Sequence, residues 1–256
     1  MERSGHAVPP ALLLPVQPGD RFIVHGNGNS LSLQCGNRRI HVTERESPFV
    51  VPASSSPPGF LSRLSDLLLD LGSRLTTQQA KSMTTVSTSS RGEYEPLSIP
   101  LLQDRTSHLV SEIDTLSLAW RGGTPPYSVQ VVGTQPDGRP IAEQSSVQQV
   151  RTRLALIGPL PIGFMRVQVT DRDGSLAQGM FEVVPPARLP AIDPSLKDAD
   201  IPKPLQTLLA TDGMLKTNAA EWSFHAYQRV APLAFTFEPA RMLRDCLENP
   251  VPCYDR

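Results

Sequence analysis

A chain of 256 residues with 39% hydrophobic content has room for one large core or two modest ones. Its 24 basic and 25 acidic residues leave a net charge of −1, which excludes a whole-chain field able to gather nucleic acid or anionic lipid. No run reaches the ~20 apolar residues of a membrane-spanning helix, so protein surfaces are the expected partners, with neither nucleic acid nor a transmembrane span.

Met1 to Asp20 lacks the apolar run of a signal peptide. That leaves a cytoplasmic location, or an extracytoplasmic one with the leader removed. From Gly19 the sequence GDRFIVHGNGNSLSLQCGNRRIHVTERESPFVV alternates at Phe22/Val24, Leu31/Leu33 and Ile40/Val42, with breaks at Gly26–Asn29 and Gly36–Asn37. It reads as a small antiparallel meander joined by hairpin turns. Gly26–Ser30 lacks the lysine and following helix of a phosphate loop. Ser56 and Pro57 are an N-cap and a first helical position for a helix carrying Phe60, Leu61, Leu64, Leu67, Leu68, Leu71 and Leu75 on one apolar stripe. This stripe either packs on its own sheet or docks on a partner, and Leu64, Leu68 and Leu71 are the candidate contacts. TTQQAKSMTTVSTSSRGEYE, over 76–95, is too poor in apolar residues to offset its ordering entropy and reads as a linker.

Leu97–Ile99 is an opening strand. Leu116/Leu118/Trp120, Tyr127/Val129/Val131, Leu154/Leu156, Val167/Val169 and Phe181/Val183 then supply inward faces, with turns at Gly122–Pro126, Gln135–Gly138 and Asp171–Gly174. Short strands at this spacing predict a β-sandwich. Pro126 and Tyr127, at the turn, are a second candidate contact. Beyond a Pro-rich connector, helices are predicted around Leu205–Leu215, broken at Asp212–Gly213, then from an Asn218/Glu221 capping pair to Pro232, and after Glu238–Pro239. Trp222 and Tyr227, in the densest aromatic cluster of the chain, form the third candidate contact. They stand five apart, so one of them is expected to face outward.

The motifs LAWRGGTPPYSVQV, GFMRVQVTDRDG and FEVV resemble Ig-like modules, PKD-like and fibronectin type III-like, of bacterial surface and periplasmic proteins. The segment GDRFIVHGNGNSLSLQC is similar to FecR-type periplasmic domains. The resemblances imply a mainly β fold: an Ig-like sandwich, an N-terminal meander with a Leu-rich helix, and a short helical tail. The divisions are 1–82, a linker at 83–95, the sandwich at 96–184, a connector at 185–204 and the tail at 205–256. They also imply a noncatalytic interaction or scaffold protein of the periplasm or cell exterior, such as a sensor or assembly subunit. The alternatives are a hydrolase or lyase on surface polymers with a site of dispersed residues, and an intracellular adaptor.

Five scattered histidines carry no zinc-binding spacing, and no nucleophile elbow is present. No catalytic residue, cofactor or metal is expected. Asp171, Asp173 and Gly174 open like a calcium loop but lack its closing Glu, which favours a plain turn. Arg151 and Arg153 share a strand face and together suit an acidic group. Cys35 reads as a buried strand residue. A disulfide between Cys246 and Cys253 would contribute about 2.5 kcal/mol in an oxidising compartment.

Overall fold

A computed structural model describes residues 1–3, 5–9, 14–17, 19–26, 28–35, 38–52, 66–77, 95–103, 106–133, 140–197, 201–249 and 254. Leu64, Cys253 and nearly all of the expected linker lie outside these. Two compact units divide the chain: Met1–Thr77 with Asp193–Leu209, and Gln78–Ile192 with Ala210–Arg256.

The first unit holds β1 (Glu2–Arg3), β2 (His6–Ala7), β3 (Arg21–Phe22), β4 (Ser30–Cys35), β5 (Arg38–Thr43) and β6 (Phe49–Val50). The expected single meander is replaced by two pieces: a sheet in the order β2-β1-β3-β6 and a separate β4–β5 hairpin. The reason is a buried carboxylate. Asp20 accepts from Arg3 Nε at 2.8 Å, Arg3 Nη2 at 2.7 Å and the Gln17 amide at 2.7 Å. The Arg3 guanidinium holds the Asp20 carboxyl below its ordinary range against the opposing effect of burial. This bidentate pair ties the N-terminal segment beside β3, so β3 takes β1 and β6 as neighbours. Phe22, Leu33, Val42 and Val51 form the core of the unit. In helix α1 (residues 66–77), Leu68, Leu71 and Leu75 are buried. Leu68 and Leu71 are therefore core residues and offer no partner an exposed face.

The second unit contains β7 (Ser107–Val110), β8 (Thr115–Ala119), β9 (Tyr127–Gly133), β10 (Pro140–Val147), β11 (Arg151–Ala155), β12 (Gly163–Thr170) and β13 (Leu176–Val184). Five of these make a sheet in the order β10-β9-β12-β13-β7, and β8 pairs with β11. All pairings are antiparallel except β13 with β7. The residues predicted to point inward, from Leu116 to Val183, are buried, the exception being half-buried Leu156. The expected opening strand is reduced to one bridge between Ser98 and Arg121. At the Gly-Gly-Thr-Pro-Pro-Tyr turn, Gly122 and Gly123 take φ of 69° and 70°. A Cβ on Gly122 would lie 2.1 Å from the Glu95 carbonyl oxygen. The Tyr127 hydroxyl donates to the Gly122 carbonyl at 3.0 Å, which fixes the phenol inside while Pro126 stays exposed.

Helix α2 (Lys203–Val230) runs through Asp212–Gly213, where a break was expected, and departs from helical angles at Asn218. There the predicted pair forms: Glu221 N–H donates to Asn218 Oδ1 at 3.1 Å, and Asn218 Nδ2 donates to Glu221 Oε2 at 3.0 Å. The segment after Asn218 packs against the edges of β7 and β8. The Trp120 amide points to Val150 and the Arg121 amide to Ser98, so odd-numbered residues of β8 present their backbone to the edge away from β11. Gln228 meets that edge: Ser117 N–H donates to Gln228 Oε1 at 2.7 Å, and Gln228 Nε2 donates to the Ser117 carbonyl at 2.9 Å. On β7 the Val110 amide donates to His225 Nδ1 at 3.5 Å. The Ser107 hydroxyl donates to the Glu221 carbonyl and accepts from the Phe224 amide. Between these edges Phe224 packs on Phe181 with ring centroids 4.9 Å apart.

Helix α3 (Glu238–Leu247) is anchored by Glu248, one residue past its end. Glu248 receives Arg151 Nε at 3.0 Å and the Tyr227 hydroxyl at 2.8 Å.

Two substitutions test this packing. A Cβ on Gly179 would sit 2.4 Å from Leu102 Cβ in the turn over β13, so Gly179→Val should lower unfolding stability by about 1–3 kcal/mol. An unchanged denaturation midpoint would show that the turn can lift away. Gln228→Leu strips both partners from Ser117, and a loss of about 2–4 kcal/mol is expected. Faster hydrogen exchange at the Ser117 amide should accompany it.

Candidate functional site

Part of the exposed apolar surface of the second unit lies on the outer face of the five-stranded sheet, while Val150 and Phe235 are exposed elsewhere. Val132, Arg166 and Met180 stand in register across β9, β12 and β13. The next rung is Gln130, Gln168 and Gln178, with Glu143 of β10 opposite Gln130, and the one beyond is Ser128, Thr170 and Leu176. At the other end Phe164 pairs with Glu182, which pairs with His108. Phe164 is 46% exposed, Leu176 53% and Met180 38%, and the loop leading into β12 adds Ile157 at 78% and Ile162 at 57%. Strands alternate sides residue by residue, so β12 and β13 carry apolar groups on both faces. That double pattern was readable in GFMRVQV and LAQGMFEVV, but inward alternation alone does not mark the outer members.

The residues expected from sequence to meet a partner are mostly elsewhere. Tyr127, Trp222 and Tyr227 are buried, as are Leu68 and Leu71, and among the described candidates only Pro126 is exposed. Trp222 and Tyr227 are both covered because α2 is packed on more than one side. Val110, Val184, Met214 and Leu189 enclose Trp222, while Tyr227 meets Glu248. Burial, reinforced by that carboxylate, pushes the Tyr227 phenol above its ordinary range.

His108 and His225 both approach Trp222 edge-on, with centroids at 5.3 and 5.9 Å. His108 lies between carboxylates, Nε2 3.1 Å from Glu182 Oε2 and Nδ1 2.7 Å from Glu221 Oε1. The Nδ1 approach is close but off the hydrogen-bond axis, so that nitrogen stays unsatisfied. The carboxylates are committed to this packing: Glu221 also holds Asn218 and lies 3.7 Å from Arg188. Trp120 Nε1 is likewise buried, with no hydrogen-bond partner among the described residues.

Arg151 does bind an acidic group, supplied by the chain itself at Glu248 and Asp245. Arg153 does not join it. At the other sequence-flagged site, burial raises the Asp171 carboxyl, but backbone N–H groups of Thr124, Ser175 and Asp173 outweigh it and hold the group below its ordinary range. Those donors, at 3.1, 2.7 and 3.0 Å, occupy both carboxylate oxygens with positive dipole ends. The calcium alternative gives way to a turn organised by Asp171. Among the described residues no His/Cys/Asp/Glu group could hold a metal ion, and no helix is long and apolar enough to cross a membrane. Cys246 is disulfide-bonded.

His225 makes the packing sensitive to acid. Burial, aided by Arg229, lowers it from 6.5 to about 4. The unfolded chain gains a proton there that the folded chain refuses, so stability is full above about pH 6.5 and declines by about 3 kcal/mol as pH falls to about 4. His225→Gln keeps an acceptor for Val110 and removes the titration. Its stability should therefore fall less than that of the parent between neutral pH and pH 4, and equal slopes would refute the assignment.

No family model matches this chain, and no curated protein matches it. Among solved structures, the BSP domain of a biofilm-associated protein is similar over 34% of this chain and 15% of its own length, with 14% identity and a TM-score of 0.29. CopC from Methylosinus trichosporium OB3b is similar over 32% of this chain and 87% of its own, with 21% identity and a TM-score of 0.25. Likeness at this level carries no argument about fold or function.

Proposed function

We propose that the chain is a noncatalytic interaction protein whose second unit is an Ig-like module binding another protein through the outer face of its five-stranded sheet. The observation that carries this is the set of exposed apolar side chains Phe164, Met180 and Leu176 on the outward positions of β12 and β13. Apolar groups gathered on one face, with polar groups between and around them, have the composition of an interface.

The Ig-like reading is supported by strand order. The sequence β10-β9-β12-β13 follows the C′-C-F-G order of such modules, and β8–β11 corresponds to their B–E pair. A location outside the cytoplasm is supported by the disulfide at Cys246, since such bonds persist in oxidising compartments.

The experiment is crosslinking and mass spectrometry on tagged full-length chain in its native source, beside a Phe164→Asp/Met180→Asp variant checked for an unaltered melting curve. Crosslinks to protein should map to β9, β12 and β13 and fall at least about tenfold in the variant, the loss expected from about 1.4 kcal/mol of contact energy. Crosslinks that persist in a folded variant would place the contact elsewhere, and none in either protein would reject the reading.

A further inference from the structure

Helix α2 carries a buried carboxylate that is met by a residue from the end of the chain. Asp212 is 1% exposed and accepts from Lys216 Nζ at 2.8 Å and from the Tyr254 hydroxyl at 2.6 Å. Tyr254 is itself buried. In the last turn of α3, Cys246 is also buried, and it is disulfide-bonded. The chain has three cysteines, so its partner is Cys35 or Cys253. Cys35 ends β4 in the first unit, whereas Cys253 directly precedes Tyr254 in the second.

A carboxylate removed from water is costly unless donors meet it. One donor to Asp212 comes from the chain terminus, where order is hard to maintain because few contacts offset its entropy. A covalent bond at the residue before Tyr254 removes much of that freedom in advance. We infer that Cys246 and Cys253 are joined as a redox-sensitive clasp that holds Tyr254 on Asp212 and so steadies α2 around Gly213. That glycine is the weak point of the segment, since glycine is the poorest helix former after proline. A dithiol reductant opens the clasp. Its first thiolate displaces one cysteine sulfur, its second closes on the mixed disulfide, and two electrons and two protons pass to Cys246 and Cys253 as the reductant becomes a disulfide. Tyr254 can then leave Asp212, and water reaches the carboxylate. The inference is independent of the proposed sheet face.

The experiment uses the full-length chain. Unreduced protein is alkylated and digested with trypsin and a glutamate-specific protease. Cleavage after Arg244 and Glu248 should leave the Asp245–Glu248 and Asn249–Arg256 peptides joined until reduction, with Cys35 alkylated. A link from Cys246 to Cys35 would overturn the inference. Hydrogen exchange is then followed with and without a dithiol. Reduction should speed exchange at the amides of Gly213–Thr217 by at least about tenfold and leave Val167 and Val169 of β12 unchanged. Tyr254→Phe, with the bond intact, should give most of the same acceleration, and reduction should add little to it. Exchange at Gly213–Thr217 that ignores reduction would defeat the clasp, as would an equal acceleration in β12, which marks a general staple. A reduction effect of full size in Tyr254→Phe would also defeat it, because the bond would then act by a route other than Asp212.

Discussion

An open β-sheet has backbone N–H and C=O groups along its outermost strands that must be paired with something. Here the second segment of α2 supplies the partners. Its residues Glu221, Phe224, His225 and Gln228 recur at helical spacing, and each meets β7, β8 or the space between them. Gln228 acts as a strand would, with donor and acceptor in one plane against Ser117. The offset of the helix at Asn218 and its capping pair set where this segment starts, so a few residues in the connection position the whole closure. Arg151, Glu248 and Tyr227 then join β11, α3 and α2 by charge-assisted hydrogen bonds.

This closure separates the two roles of the aromatic and apolar residues. Trp222, Phe224 and Tyr227 are consumed in packing α2 against the strands, which leaves the outer sheet face as one place where apolar groups remain in water, beside Val150 and Phe235 elsewhere in the unit. The edge strand β10 is poorly suited to recruit another strand. Its register is interrupted twice, Ser146 takes a positive φ of 59°, and Pro140 opens it, all features that blunt strand-to-strand pairing.

Much of the second unit was legible because β9, β12 and β13 alternate between buried and more exposed positions, and because apolar and polar residues alternate in the sequence of β8 although that strand is buried almost throughout. β7 was not, since Ser107–Val110 is buried throughout and a strand covered on both sides loses the alternation. β10 was hidden by Glu143–Ser146, polar residues at an edge. The capping pair at Asn218 was legible from two residue types at the right spacing. The supposed break at Asp212–Gly213 misled for a tertiary reason: buried Asp212 is held by Lys216 at 2.8 Å and the Tyr254 hydroxyl at 2.6 Å. Those contacts offset the roughly 1 kcal/mol that a helical glycine costs. The candidate face was missed because its members occupy the outward positions of strands whose inward positions already explained the pattern.

The turn after β12 also bears on how the protein ages. Asp173–Gly174 is a sequence in which the glycine nitrogen can attack the preceding side-chain carbonyl, forming a cyclic imide that reopens to isoaspartate. Here the Gly174 amide is tied to the Asp171 carbonyl at 3.2 Å and the Asp173 amide to Asp171 Oδ1 at 3.0 Å. That nitrogen is therefore held away from the geometry of attack. The turn that Asp171 organises, with its backbone carbonyl holding the Gly174 amide, thus opposes the covalent damage to which such a sequence is prone and ties the long-term integrity of the β12–β13 connection to Asp171.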